Sequence, residues 1–398
     1  MNLHRGDLFW HTTRTAADYL EIQEDESCDC LIIGGGMSGA LISYGLVEGG
    51  FNTIVIDEKI PGAGSSGGNT GMIQFTSDMS LDEMIDAFGE QRAVDFYKFS
   101  VEAMTEFKRI AGSFGDVGFK ETKSLFLCSK ESDLAAVKKN QEILDKYGFP
   151  ARWIDKNTLK EQYALNAFGA IETEGDAEIN PFKLIQSIHR YNLKNNARVY
   201  KNATFETIEE DEAGYIVKVN GYLIRAKNLI YATGYAKAMV PEAEPYFIRN
   251  TTFSIVTQKI AKVWGHEEMV WDSGEPYIYF RVTEDNRIIA GGFDQPGTAF
   301  KSQAEIKEFG NKIYSQLKTY YSDLDTSIHK CWQSVFGEST DGLPVIGRFK
   351  AKENKYYCLG LGGNGTCYSV MGSLIIRAYL EGRIHPYAYT TDLESRKK

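Results

Sequence analysis

Three glycines, Gly34, Gly36 and Gly39, followed eighteen residues later by an acid at Asp57, have the types and spacing to bind a dinucleotide. Gly34 permits a tight turn. Gly36 lets backbone N–H groups approach a diphosphate, and Gly39 lets a helix pack close to the strands behind it. Met37 and Ser38 complete the turn. Asp57, with Glu58 beside it, offers carboxylate oxygens to the hydroxyls of a ribose. A second glycine-rich stretch occupies 61–71, with five glycines in eleven residues. Directly after a nucleotide-binding strand, its backbone amides at Gly64, Ser65, Ser66, Asn69, Thr70, Gly71 and Met72 are placed to reach deep into a bound cofactor.

The elements that must position these residues are legible around them. The apolar run 31–33 ends in the glycines. A helical pattern follows at once, with Ala40, Leu41, Tyr44 and Val47 on one face. A second apolar run, 53–56, stops at Asp57, giving strand, turn, helix, strand and acid in order. Ser80 and Glu83 form a capping box opening a long helical region, and Asn180-Pro181 is a helix start with Pro at the first position. A helix over 133–147 ends at Gly148. Strands are expected near 125–128, 198–200, 204–209, 215–219, 222–226 and 229–232, then several aromatic-rich ones over 246–292. Ser302 and Glu305 cap a further helix. The chain closes with Asp341-Gly342-Leu343-Pro344, a strand at 356–359, the loop 360–365 and a final helix. The first 27 or so residues read as a surface arm packed on the body, with Phe9 and Trp10 as its only bulky pair.

The chain has 398 residues, 43% hydrophobic and 25% charged, the profile of a soluble globular protein with two or three domain-sized units. With 44 basic and 54 acidic residues the net charge is −10, which predicts no general attraction to nucleic acid or anionic lipid. No run approaches the ~18 apolar residues of a membrane span, and the start lacks the apolar segment of a signal peptide, so a cytoplasmic protein is expected. Six scattered cysteines, with Cys28 and Cys30 lacking a second pair at metal-site spacing, read as reduced structural thiols and no metal site.

Taken together these motifs resemble the FAD-dependent oxidoreductases of the D-amino-acid oxidase superfamily, within it the glycine/sarcosine oxidase and γ-glutamylputrescine oxidase branch. The resemblance covers about 28–382. The Gly34–Gly36–Gly39 turn with Asp57 is similar to the family's ADP cradle, where Glu is commoner. The 62–71 loop resembles the segment lining pyrophosphate and flavin. Thr233 and Gly234 end a strand similar to the one running beside the adenosine. Gly342, in Asp341-Gly342-Leu343-Pro344, and Gly362-Gly363-Asn364-Gly365, with Thr366, resemble the C-terminal pair that approaches the flavin N1–C2=O edge.

The resemblance implies an α/β fold: a discontinuous Rossmann-like FAD-binding domain (1–80, 151–244 and 326–398) and an α+β substrate domain on a mixed β-sheet (81–150 and 245–325). It implies hydride transfer from a carbon bearing a neutral amine to flavin N5, leaving an imine that water hydrolyses. It further implies a small amine or amino-acid substrate, and oxygen or an electron-acceptor protein or quinone as oxidant. The helix N-terminus at Gly365 and Thr366 would stabilise charge gained by the reduced flavin. Covalent attachment is not expected: the glycine loop has no His, and Cys331 stands ten residues before Asp341, with Ser334 nearer the relevant place. Where glycine oxidases carry Arg, this chain has Phe336-Gly337 and Gly363-Asn364. Tyr279-Phe280-Arg281 is similar to a pattern of the polyamine-type branch. There Arg281 either pairs with a substrate carboxylate or forms an ordinary ion pair on a strand face. Tyr277, Tyr279, Trp332 and Phe336 are candidates to wall an apolar amine pocket; Gln74, Phe75 and Cys367 are candidates to lie near flavin. His189, His266 and His329 read as structural or surface groups. An RNA-modifying flavoenzyme and a non-catalytic flavin-binding subunit are the other readings; the net charge disfavours the first of these.

Overall fold

The apolar run that ends in Gly34 becomes the centre of a parallel sheet. In the computed structural model, which describes residues 2–235, 246–260, 267–348 and 354–396, strand Glu26–Ile33 lies between Thr53–Ile56 and Tyr222–Tyr231. Arg198–Tyr200 and Lys355–Leu359 flank these, all parallel. Buried on both faces, these strands are continuously apolar: Leu31, Ile32, Ile54, Val55, Leu229 and Ile230 have no exposed surface. Helices Met37–Glu48, Pro181–Lys194 and Gly365–Leu380 cover one face, packing on Ile32, Val55 and Ile230. The antiparallel strands Phe205–Asp211 and Gly214–Val219 cover the other. Glu26–Ile33 has neighbours reached by connections of opposite direction. The loop leaving its C-terminal end therefore opens at a topological switch point, where open α/β sheets bind ligands.

A second, larger mixed sheet runs in the order His4–Gly6, Ile328–Ser339, Phe247–Thr257, Ile288–Pro296, Ile278–Val282, Met269–Asp272, Lys120–Cys128, Gly169–Glu178 and Met72–Ile73, with Ala151–Asp155 beside Gly169–Glu178. Helix Gln303–Tyr320 closes one face with Ile306, Ile313 and Leu317. The capping boxes at Ser80 and Ser302 and the cap at Asn180 form as the sequence predicts.

Strands Ala151–Asp155, Gly169–Glu178 and Ile328–Ser339 hydrogen-bond into the larger sheet. Strand partners are chosen by long-range hydrogen bonding, which composition does not report. The N-terminal arm packs on the body of the molecule. His4–Gly6 pairs with Ile328–Ser339, and Leu8, Phe9 and Trp10 are buried.

Candidate active site

The first glycine turn is shaped by absence of side chains. Gly34 has φ +106°, and a Cβ there would stand 2.3 Å from Ala232 O; a Cβ at Gly39 would stand 1.8 Å from Gly34 O. Helix Met37–Glu48 can therefore begin directly beneath the turn, its first N–H groups facing outward. Ser66 of the second loop reaches over to accept from Met37 N at 3.0 Å. Asp57 Oδ2 accepts from Gly35 N at 2.8 Å and Oδ1 from Lys59 N at 2.9 Å, which fixes the carboxylate at the end of its strand. Burial raises its carboxyl above the ordinary value, and these amides oppose the shift.

Behind the turn stands helix Pro181–Lys194. His189, fully buried, places Nε2 3.0 Å from Gly35 O, so Nε2 carries the proton and donates; Nδ1 is buried with no partner. Burial depresses its pKa to about 4, leaving the ring neutral. One turn earlier Gln186 Nε2 donates to Pro61 O at 2.8 Å. One helix thus holds both glycine loops.

The second loop is held by three donors on successive carbonyls. Trp332 Nε1 donates to Gly68 O (3.1 Å), Trp10 Nε1 to Asn69 O (2.6 Å) and Arg281 Nε to Thr70 O (2.9 Å). Arg281 is not among the residues that line the cavity. Its remaining nitrogens meet Glu178 Oε2 at 3.3 Å and Ile179 O at 2.8 Å, its guanidinium lies over the Trp10 ring, and it is 3% exposed. The ion-pair reading of this strand-face Arg is the one the geometry fits. Trp332 likewise leaves the expected pocket wall to anchor Gly68.

The third wall is the 360–365 loop. Gly363 N donates to Asp78 Oδ2 at 3.1 Å, and Asn364 Nδ2 donates to Gln74 O and Thr76 O, each at 2.8 Å. Gly365 and Thr366 open helix Gly365–Leu380 toward the same space. That helix packs closely on Met37–Glu48: Ser38 and Ser369 hydroxyls meet at 2.8 Å, and a Cβ at Gly45 would stand 2.5 Å from Ser373 Oγ.

One continuous cavity joins the three loops. Of the expected cofactor residues, Gly34, Gly36, Met37, Ser38, Asp57, Glu58, Gly64, Ser65, Ser66, Asn69, Thr70, Met72, Thr233, Gly234, Gly362, Gly363, Asn364, Gly365 and Thr366 line it. Gly39, Gly71 and Gly342 do not: Gly39 packs on Gly34, Gly71 against Ile179 O, and Gly342 beside Met79. At the far end the larger sheet supplies Thr252, Trp271, Tyr277, Tyr279, Asp294 and Phe336. Gly291 makes room for Tyr279; a Cβ there would stand 2.4 Å from the Tyr279 hydroxyl. Gln74 lines the cavity, whereas Phe75 and Cys367 are buried in the helical core. His329 packs near Gln258, and His266 lies outside the described residues. Asp78, Thr252, Trp271 and Asp294 escaped the sequence reading, because each reaches the cavity through pairing of distant strands or loops. Only the aromatic richness around Trp271 hinted at one of them.

The walls fit an extended dinucleotide. Gly36, Gly68 and Gly363 leave space that a Cβ would fill against Ser66, Ser334 and Asp78. Gln74, Thr76 and Ser334 bring to the cavity buried polar atoms that have no hydrogen-bond partner among the described residues. The sequence pattern of the family described as FAD dependent oxidoreductase (DAO) matches residues 29–378. The chain belongs to this family. Its cofactor is FAD, and the chain is an enzyme.

Among relatives of this FAD oxidoreductase, γ-glutamylputrescine oxidoreductase of Escherichia coli (strain K12) is 23% identical over 94% of this chain and 89% of its own length. Glycine oxidase of Geobacillus kaustophilus (strain HTA426) is 20% identical over 89% of this chain and 93% of its own. The crystal structure of glycine oxidase from Geobacillus kaustophilus superposes with a TM-score of 0.78 at 19% identity, covering 91% of this chain and 96% of that one. That likeness establishes the fold. Among the described residues no helix is long and apolar enough to cross a membrane, and no His/Cys/Asp/Glu group could hold a metal ion.

Proposed function

We propose that this FAD oxidoreductase oxidises a C–N bond of a small amine or amino acid. The glycine loops at 34–38, 64–70 and 362–366 would hold FAD, which when bound would supply acceptance of a hydride from the carbon beside the nitrogen. As that C–H bond breaks, the nitrogen lone pair forms the C=N bond of an imine; water then adds at the carbon and the amine leaves. The observation that carries this reading is the shape of the cavity. Its glycine-walled length suits the cofactor, and its far end is lined by Phe336, Tyr279 and Thr252.

The protein supplies position and field. Phe336, Tyr277 and Tyr279 exclude water and confine a small substrate. Gly365 and Thr366 aim the positive end of a 16-residue helix at the cavity, favouring negative charge there. No Cys or His lines the cavity among the described residues, which supports dissociable flavin. Cys331, the nearest candidate by position, is buried away from the cavity beside Ile255 and Gly310.

Anaerobic mixing of the holoenzyme with a panel of amines and amino acids tests the reading. Bleaching of the flavin by one small amine, with the matching aldehyde or oxoacid released, is expected. Bleaching only with RNA, or by no member of the panel, would overturn it. Flavin should pass into the supernatant on denaturation.

A further inference from the structure

Charge at the far end of the cavity is one-sided. Of the described residues lining it there, Asp78 and Asp294 are acidic and none is Lys or Arg; Lys59 lines the opposite end, beside Asp57. The strand cations nearby in sequence are engaged elsewhere, Arg281 with Glu178 and Arg249 through Nε with Tyr235 O. Asp78 accepts from Gly363 N, and Asp294 Oδ2 accepts from the Tyr277 hydroxyl at 2.7 Å. Asp294 Oδ1 is shielded from solvent and has no well-formed hydrogen bond among the described residues, with the Thr252 side chain beside the carboxylate. Glu338, held by Asn250 at 2.8 Å, adds a third carboxyl to the same region. Burial raises the carboxyls of Asp294 and Glu338, and the charge of Asp78 adds to both; hydrogen bonds from Thr252 and Tyr277 oppose the shift in Asp294, and one from Asn250 opposes it in Glu338.

Carboxylates drawn out of water without a counter-charge are costly, so such a site favours a ligand that brings the positive charge. The rings point the same way. Trp271 stacks on Phe126 at 4.2 Å and pairs across the strands with Tyr279, whose ring lies 6.0 Å from that of Tyr277. Aromatic faces beside carboxylates attract ammonium groups and repel carboxylates.

We propose that the substrate is an aliphatic amine carrying a second, distal ammonium, a diamine or polyamine end, and not an α-amino acid. This rests on the C–N oxidation reading above and narrows it. Asp294 and Asp78 would hold the distal ammonium, and Trp271 with Tyr277 would flank the alkyl chain. A carboxylate beside the reacting carbon would meet no cation and two acids.

A four-carbon series tests the charge alone: putrescine, n-butylamine and γ-aminobutyrate bear ammonium, methyl and carboxylate at the end away from the amine. Glycine is added as the small α-amino acid. Binding to the purified holoenzyme is measured by calorimetry without oxygen, and flavin reduction is followed separately. Putrescine should bind at least about tenfold more tightly than n-butylamine, and γ-aminobutyrate and glycine more weakly than either. Asp294→Asn and Asp78→Asn should each lower putrescine affinity about tenfold more than n-butylamine affinity. Equal binding of the four ligands, tighter binding of γ-aminobutyrate or glycine, or unaltered putrescine affinity in both variants would overturn the proposal. The wild-type series needs no variant to fold. Reduction by glycine alone would sink this inference and leave C–N oxidation standing. A preference for putrescine with no reduction by any amine would do the reverse.

Discussion

His189 is the residue on which the first glycine turn leans from behind. Its ring is buried, neutral and bonded to Gly35 O, and its pKa lies at about 4 against an ordinary 6.5. A histidine depressed on folding contributes stability that is complete above the ordinary value and is lost as pH falls toward 4. At about pH 5 the loss amounts to about 2 kcal/mol. His189→Gln retains a side-chain N–H for Gly35 O and cannot titrate. Denaturant unfolding at about pH 7.5 and pH 5 should show the wild type losing about 2 kcal/mol more than the variant. Equal losses would mean that the ring does not resist protonation. The same scale explains the fate of Arg281. Its residue type suits a substrate carboxylate and a buried ion pair equally, and only the position of Glu178, 103 residues away in sequence, decides between them.

Among the elements, the N-terminal arm has the least obvious role and a direct one. Its edge strand His4–Gly6 carries Trp10 to the second glycine loop, where the indole N–H meets Asn69 O and Arg281 lies over the ring. Carbonyls 68, 69 and 70 are all engaged by donors behind the loop. Trp10→Phe keeps the ring and deletes the donor, leaving one buried carbonyl unpaired, at about 1–1.5 kcal/mol. Titration of apoprotein with FAD should show affinity falling about tenfold, the same energy expressed as binding. An unchanged Kd would show the arm to be mere packing. The polar sequence of the arm conceals this, because its partners are backbone carbonyls that carry no residue identity.

For the whole molecule, the cavity is built from both sheets: Asp57 and Thr233 come from the parallel sheet, and Tyr279 and Phe336 from the larger one. A ligand spanning it stabilises the folded chain by mass action, about 2.7 kcal/mol at a hundredfold excess over Kd. The melting temperature should therefore rise with added FAD beyond saturation, in one transition. Two transitions, with only the first moving, would mean that the sheets unfold independently. The glycine turn, the acid at Asp57 and the helix caps were determined by the sequence alone. Each depends on residues within a few positions of one another, where sterics and spacing permit one local geometry. The tertiary structure alone decided that strands 151–155, 169–178 and 328–339 join the larger sheet, that Arg281 braces a loop, and that Asp78, Trp271 and Asp294 share one space. Those outcomes depend on hydrogen bonds and burial between segments far apart in the chain, which no local pattern encodes.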